Sequence, residues 1–312
     1  MAVQEAVVVV TRFALKLIAL LCIFASSVFA AVLPDERVDV LQHDYNGGGI
    51  TVSGPSGVVR KSIGSSVSVS ANYYVDMVSS ASIDVLASAS RYSEKRVQKN
   101  VSADYLHDRT TYSLGYTTSD ENDYQAKTYN LGVSQTFFGD LTTLGFGFTY
   151  GEDVVGRNIK GVPDPDFHLD KERRKYGISL SQIVTKNLLM DLSLESGSDA
   201  CVNMKEGESC LNNPYRSYSF IQNGVRALAP EKYPLTHNTD AVGLRAIYHL
   251  PYAASIRADF RQFSDSWGAD AHNAELRYTQ DFNKDILVEV KYRVYSQTEA
   301  DFYSDLFPYK DA

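Results

Sequence analysis

The sequence predicts an all-β chain, folded as an antiparallel transmembrane β-barrel of about 12–14 strands, or more when complete. Three observations carry this. Apolar and small polar residues alternate with period two through most of the chain. The apolar face is large and aromatic while the other is Gly, Ser, Thr and Asn, which suits lipid outside and a polar lumen inside. Tight and long connections alternate, as at the two ends of an outer-membrane barrel.

Thr128–Gly151 shows the pattern best. Tyr129, Leu131 and Val133 alternate with Asn130, Gly132 and Ser134, turn at Phe138-Gly139-Asp140, and return as Leu144, Phe146 and Phe148 against Gly145, Gly147 and Thr149. In a soluble sandwich the polar face is usually richer in Lys and Glu.

Taken in order, residues 1–30 read as a cleaved export signal. Arg12 and Lys16 precede the apolar run Leu17–Phe24, and Val28 and Ala30 suit cleavage before Ala31. The run is short for a spanning helix. Asp35–Tyr45 is a first strand, ended by Asn46-Gly47-Gly48-Gly49. Ile50–Lys61 follows, and Gly54-Pro55 inside it implies a bulge or a seam, because proline cannot donate to a ladder. Val67–Asp76 alternates after a turn at Gly64-Ser65, and a small-polar loop spans Ser79–Glu94. Val101–Tyr105 and Tyr112–Tyr116 flank a turn at His107-Asp108-Arg109, and Asp120–Asp123 is an acidic loop.

Beyond the central hairpin, Glu152–Glu172 reads as a loop. Tyr176–Ser181 and Leu188–Glu195 flank the turn Thr185-Lys186-Asn187, and Gly197–Asn238 is the longest loop. The last strands, Val242–His249, Ile256–Arg261, Glu275–Tyr278 and Ile286–Val294, are the most charged. Tight turns fall near 64, 108, 139, 186, 252 and 284. The count is twelve well-marked strands plus Asp35–Tyr45, with no helix of useful length and no linker dividing 31–312. A soluble all-β alternative such as a propeller needs a repeat period, and none emerges.

Composition fits. A net charge of -8 argues against nucleic-acid binding. Mean hydropathy of -0.23 is too polar for a helical membrane protein but not for a barrel, where only alternate residues meet lipid. Once the signal is removed only Cys201 and Cys210 remain, which in an exported chain suggests one disulfide.

Alternation points these charges into the lumen: Asp76, Asp104, Lys175, Asp191, Glu195, Arg245, His249, Arg257, Asp259, Arg261, Glu275, Arg277, Glu289, Lys291 and Arg293. Either they pair locally and fill the interior, or a basic wall after residue 240 faces an acidic wall on the earlier strands. The second arrangement would orient polar solutes in a pore. Asp164, Asp166 and Asp170 offer oxygens to a hard cation but lack the glycine and closing glutamate of a calcium loop, so no metal and no cofactor are expected. No GxSxG, HExxH or Walker loop is present, and the chain is not expected to be an enzyme.

Four runs are familiar beyond their pattern: Val67–Val85, Asp104–Asp108, Leu211–Arg216 and Asp301–Tyr309. They resemble the uncharacterised "domain of unknown function 3570" family over essentially all of 31–312. The resemblance implies an exported outer-membrane β-barrel of a Gram-negative bacterium. Its expected partners are outer-membrane lipid and the barrel-assembly machinery. It implies no activity. Channel, structural or assembly protein, and hydrolase stay open in that order, the channel serving small polar or anionic solutes. The chain ends at Lys310-Asp311-Ala312 instead of on a strand with a terminal aromatic, so closing strands are expected to be missing.

Overall fold

The computed structural model describes residues 32–310 except 48–49, 81–91, 160, 204–208 and 284–285. The expected export signal, most of the Ser79–Glu94 loop, the turn near 284 and the last two residues lie outside the described residues.

Thirteen strands form one antiparallel sheet in chain order. They are β1 (Arg37–Gly47), β2 (Ile50–Ile63), β3 (Val67–Ser80), β4 (Tyr92–His107), β5 (Thr110–Asp120), β6 (Tyr124–Phe137) and β7 (Thr142–Val155), then β10 (Leu169–Thr185), β11 (Leu188–Val202), β14 (Thr236–Leu250), β15 (Ala254–Asp265), β16 (Asp270–Asn283) and β17 (Ile286–Gln297). Two small hairpins stand outside it: β8 (Asn158–Ile159) with β9 (Val162–Pro163), and β12 (Ser217–Gln222) with β13 (Val225–Pro230). Thirteen matches the twelve strands and first strand expected. Among the described residues no ladder joins β1 to β17, and no helix is long and apolar enough to cross a membrane, which says nothing about strands.

The tight turns are built by residues that tolerate left-handed backbone. Gly64, Asp108, Phe138, Gly139, Asp140 and Ala253 all have positive φ, and all lie at the same end of the sheet. At the opposite end the strands run further than their periodicity suggested. Glu152–Glu172 and Gly197–Asn238 are not wholly loop, because β7 and β11 continue to Val155 and Val202 and their partners begin at Leu169 and Thr236. Charged residues interrupt the alternation there while backbone pairing continues.

Gly54-Pro55 makes no bulge. Ser53↔Met77 and Ser56↔Tyr74 keep one register, and only the two residues between them lack ladder partners on β3. The cause is close approach: a Cβ on Gly54 would stand 1.8 Å from the Val75 carbonyl oxygen.

The two faces differ as alternation requires. One carries rows such as Val133–Phe146–Ile178–Leu194–Val242, continuous across five strands. Its side chains are open to the surroundings, with Leu114 58% and Tyr292 70% exposed, so this is no sandwich interior. A tyrosine row, Tyr116–Tyr129–Tyr150, edges this apolar field, with ring centroids 5.1 and 6.4 Å apart. Phe137 closes β6 at the tight-turn end. Few apolar residues are buried among those described, and many are alanines.

What apolar packing exists lies at the long-connection end. Val155 and Leu169 pack with Cys210, against Tyr124, Phe167, Cys201 and Leu211. Cys201, at the end of β11, is bonded to Cys210. The Tyr215 hydroxyl donates to Asp123 on the β5–β6 connection, so the 209–216 segment reaches back past four strands. The chain after β17 folds onto the same end. Phe307 bridges to Phe220 on β12, and Trp267 packs against Tyr233 and Phe302. These connections form a cap over one end of the polar face.

Candidate functional site: the polar face

Every charged residue expected in the lumen falls on the face opposite the apolar rows. Cross-strand registers show it. Asp191↔Arg245↔Asp259↔Glu275↔Arg293 is one row, and Arg257↔Arg277↔Lys291 is the next. Asp104 and Glu195 end a row that runs Ser113–Gly132–Gly147–Gly177 between them. Lys175 stands opposite Thr149, and Asp76 opposite Arg96. His249 faces Ser255, and Glu289 faces Thr279.

These charges pair. Asp259 accepts from Arg245 at 2.7 Å and from Arg257 at 2.6 Å. Glu195 holds Lys175 at 2.9 Å and Arg261 at 3.1 Å. Arg277 reaches Glu275 at 2.9 Å and Glu289 at 3.3 Å, and Arg293 donates to Asn273 at 2.7 Å. Asp191 faces Arg245 in register.

Among the described residues the expected acidic wall is largely neutralised. Arg60 lies 2.7 Å from Asp104, and Asp76 is held by Arg96 at 2.8 Å and His43 at 2.9 Å. Asp153, whose side chain is fully buried, meets Arg173 at 2.6 Å and Lys171 at 3.6 Å, and accepts from the Tyr124 hydroxyl. A carboxylate taken from water needs such partners, and Asp76, Asp104, Asp153 and Glu195 each have one. The asymmetry that remains is of another kind. β14–β17 present a charged and mostly paired wall. The middle of β3–β7 is uncharged, with Ser70–Ser102–Gly115–Asn130–Thr149 in one row.

Two features of this face stand out. The first lies over β2–β4, a cavity of about 480 Å³ lined by Arg60, Asn72, Tyr74, Arg96, Gln98 and Asn100 among others. The Tyr74 ring is stacked on His43, centroids 4.9 Å apart and planes 4° apart. Arg60 also bonds Ser68 and Ser70, and Ser70 bonds Ser102 at 2.7 Å, so the floor is fixed.

The second is acidic. Carboxylate oxygens of Glu94, Glu121 and Asp123 all lie within 4.8 Å of one another, near the cap and beyond the tyrosine row. Burial pushes the Glu94 carboxyl up to about 7, with the Asp123 charge adding to it. Glu121 is raised by the same burial. Burial and its bond to Asp123 push the Tyr215 phenol up to about 12. Asp164, weighed earlier for a cation, is taken by Arg157 at 2.5 Å, which lowers its carboxyl below the usual range.

Three comparisons bear on this chain. A family model described as "Protein of unknown function (DUF3570)" matches residues 86–312, so the Val67–Val85 run lies wholly before the matched region. A search of curated proteins finds no match. Among solved structures the chain is similar to OmpT, an outer membrane protein of Vibrio cholerae, at 12% identity and TM-score 0.40, covering 85% of this chain and 90% of that one. It is also similar to the ferric-catecholate import receptor Fiu of E. coli K12, at 11% identity and TM-score 0.47, covering 86% and 56%. The reading of the sheet rests on its ladder and its two faces, not on these two likenesses.

Proposed function

Since the chain belongs to the DUF3570 family, we propose that it is an outer-membrane β-barrel protein that admits small polar solutes along its polar face. The carrying observation is the inside-out division of the sheet: exposed apolar rows on one face, polar residues and ion pairs on the other. Lipid covers the first at no cost, and water and solute meet the second. On this reading export follows from a signal in 1–30, and the partners are outer-membrane lipid and the barrel-assembly machinery. Catalysis has no part in it.

The paired charges favour uncharged polar solutes over anions. Reconstitution in planar bilayers tests this. Stepwise conductance with weak ion selectivity is expected, and absence of conductance from heat-modifiable, folded protein overturns it.

One observation favours a second reading, a structural barrel without an open pore. The 209–216 segment and residues 298–309 lie over the long-connection end. Conductance that appears only after proteolytic removal of 209–235 would support that reading.

A further inference from the structure

We propose that the recess over β2–β4 is a binding site for a neutral polyhydroxylated solute, a sugar or polyol. This rests on the solute-admitting reading above and names its substrate class.

Size comes first. About 480 Å³ is within the range of small-molecule sites, roughly 300–1,000 Å³. Chemistry then chooses among ligands. The two guanidiniums of the lining are already met, Arg60 by Asp104 and Arg96 by Asp76, so they offer an anion little net charge. Such fixed Arg–Asp pairs still present donors and acceptors side by side, which is what a ring of hydroxyls requires.

Hydrogen-bonding capacity is unspent where it faces the recess. Among the described residues the amides of Asn72 and Gln98 make no hydrogen bond. Asn100 spends its Nδ2 on Thr117 at 2.8 Å, which fixes the amide and leaves its oxygen to accept. An amide offers both donor and acceptor, so it can bond a hydroxyl in either sense. Tyr74 lines the recess with the Arg96 guanidinium 5.9 Å from its ring centroid, so it offers a ring edge beside a fixed cation. His43 stacks parallel to that ring and is itself held on Asp76, so the platform is rigid. An aromatic ring edge beside unspent amides suits a solute whose C–H groups and hydroxyls alternate around one ring.

The experiment is calorimetric titration of the full chain, folded in detergent, with maltose, sorbitol and gluconate in turn. Saturable binding of maltose or sorbitol in the millimolar range is expected, with gluconate weaker. Asn72→Leu and Gln98→Leu should each weaken maltose at least tenfold. Should either variant fail to fold, the wild-type preference for sorbitol over gluconate still decides, because the two differ chiefly by one carboxylate. No saturable binding of either neutral probe, or tighter binding of gluconate, overturns the site. Equilibrium binding needs no open pore: binding without conductance sinks the channel and keeps the site, and conductance without binding does the reverse.

Discussion

Replacing Gly54 by alanine should break the sheet locally, while the same replacement at Gly147 should strengthen it. A Cβ at Gly54 would lie 1.8 Å from the Val75 carbonyl oxygen and 2.7 Å from its carbon. Real Cβ atoms essentially never come within 3.0 Å of such neighbours, so β2 and β3 must part by at least 3.0 − 1.8 = 1.2 Å. The obstacle is backbone and has no rotamer with which to escape. Val75 precedes Asp76, whose bonds to His43 and Arg96 at 2.9 and 2.8 Å do not survive a shift of that size. Overpacking of this kind costs about 1–3 kcal/mol. At Gly147 nothing lies within 4 Å of the added carbon and φ is not left-handed. Alanine there only removes freedom from the unfolded chain, a gain of about 0.5–1 kcal/mol. The two variants should therefore differ by roughly 1.5–4 kcal/mol, about one to three decades in the unfolding constant. Urea unfolding from lipid vesicles, followed by gel mobility, measures it as a midpoint shift at constant slope. Equal midpoints would refute the close approach at β2–β3. A destabilised Gly147→Ala would show that the in-register glycines Gly132, Gly147 and Gly177 bend the sheet.

Three further outcomes are expected. Asp259→Asn frees Arg245 and Arg257 from their shared carboxylate, so the anion-to-cation permeability ratio should rise several-fold; an unmoved reversal potential would mean those side chains do not face the path. The Glu94 carboxyl is raised from 4.5 to about 7, so the stability it lends is complete below the ordinary value and lost as pH rises through about 7. Amide protection at the β5–β6 end, corrected for the intrinsic rise of exchange with pH, should accordingly fall between those limits, and Glu94→Gln should flatten that profile. Cys201→Ser removes a closure of nine-residue separation, which the chain-entropy account puts at roughly 2–3 kcal/mol. Protease nicking in 203–235 should quicken while the sheet's melting is unchanged, and two alkylatable thiols in unreduced native membranes would mean that the bond is not formed there.

Much of this was legible. Strand count, turn positions and the face of every named charge follow from period two, because backbone pairing preserves parity across each tight turn. Arg60 could have been found the same way, since Ile63↔Val67 fixes Arg60 opposite Ser70. Parity carried through the Gly64 turn puts Arg60 on the polar face, and with Arg60 left out the early strands read as acidic. Asp153, Lys171 and Arg173 were hidden for another reason. They lie where the strands outrun the apolar field, and there hydrophobic alternation no longer marks a strand that its hydrogen bonds still define. The acidic trio was beyond reach, because Glu94 and Glu121 meet through tertiary placement alone.

The interval between the tyrosine row and the tight turns sets the depth of bilayer this sheet can match. From Tyr129 to Phe137 on β6 there are 137 − 129 = 8 residue steps. At a rise of about 3.4 Å that is roughly 27 Å along the strand, or about 19 Å along the membrane normal at a tilt near 45°. That falls short of an ordinary hydrocarbon thickness of about 30 Å, and it favours the thinner outer membrane. Hydrophobic mismatch then becomes a sorting force. Short-chain lipids should accept this chain readily, and thick, sterol-rich bilayers should have to thin around it.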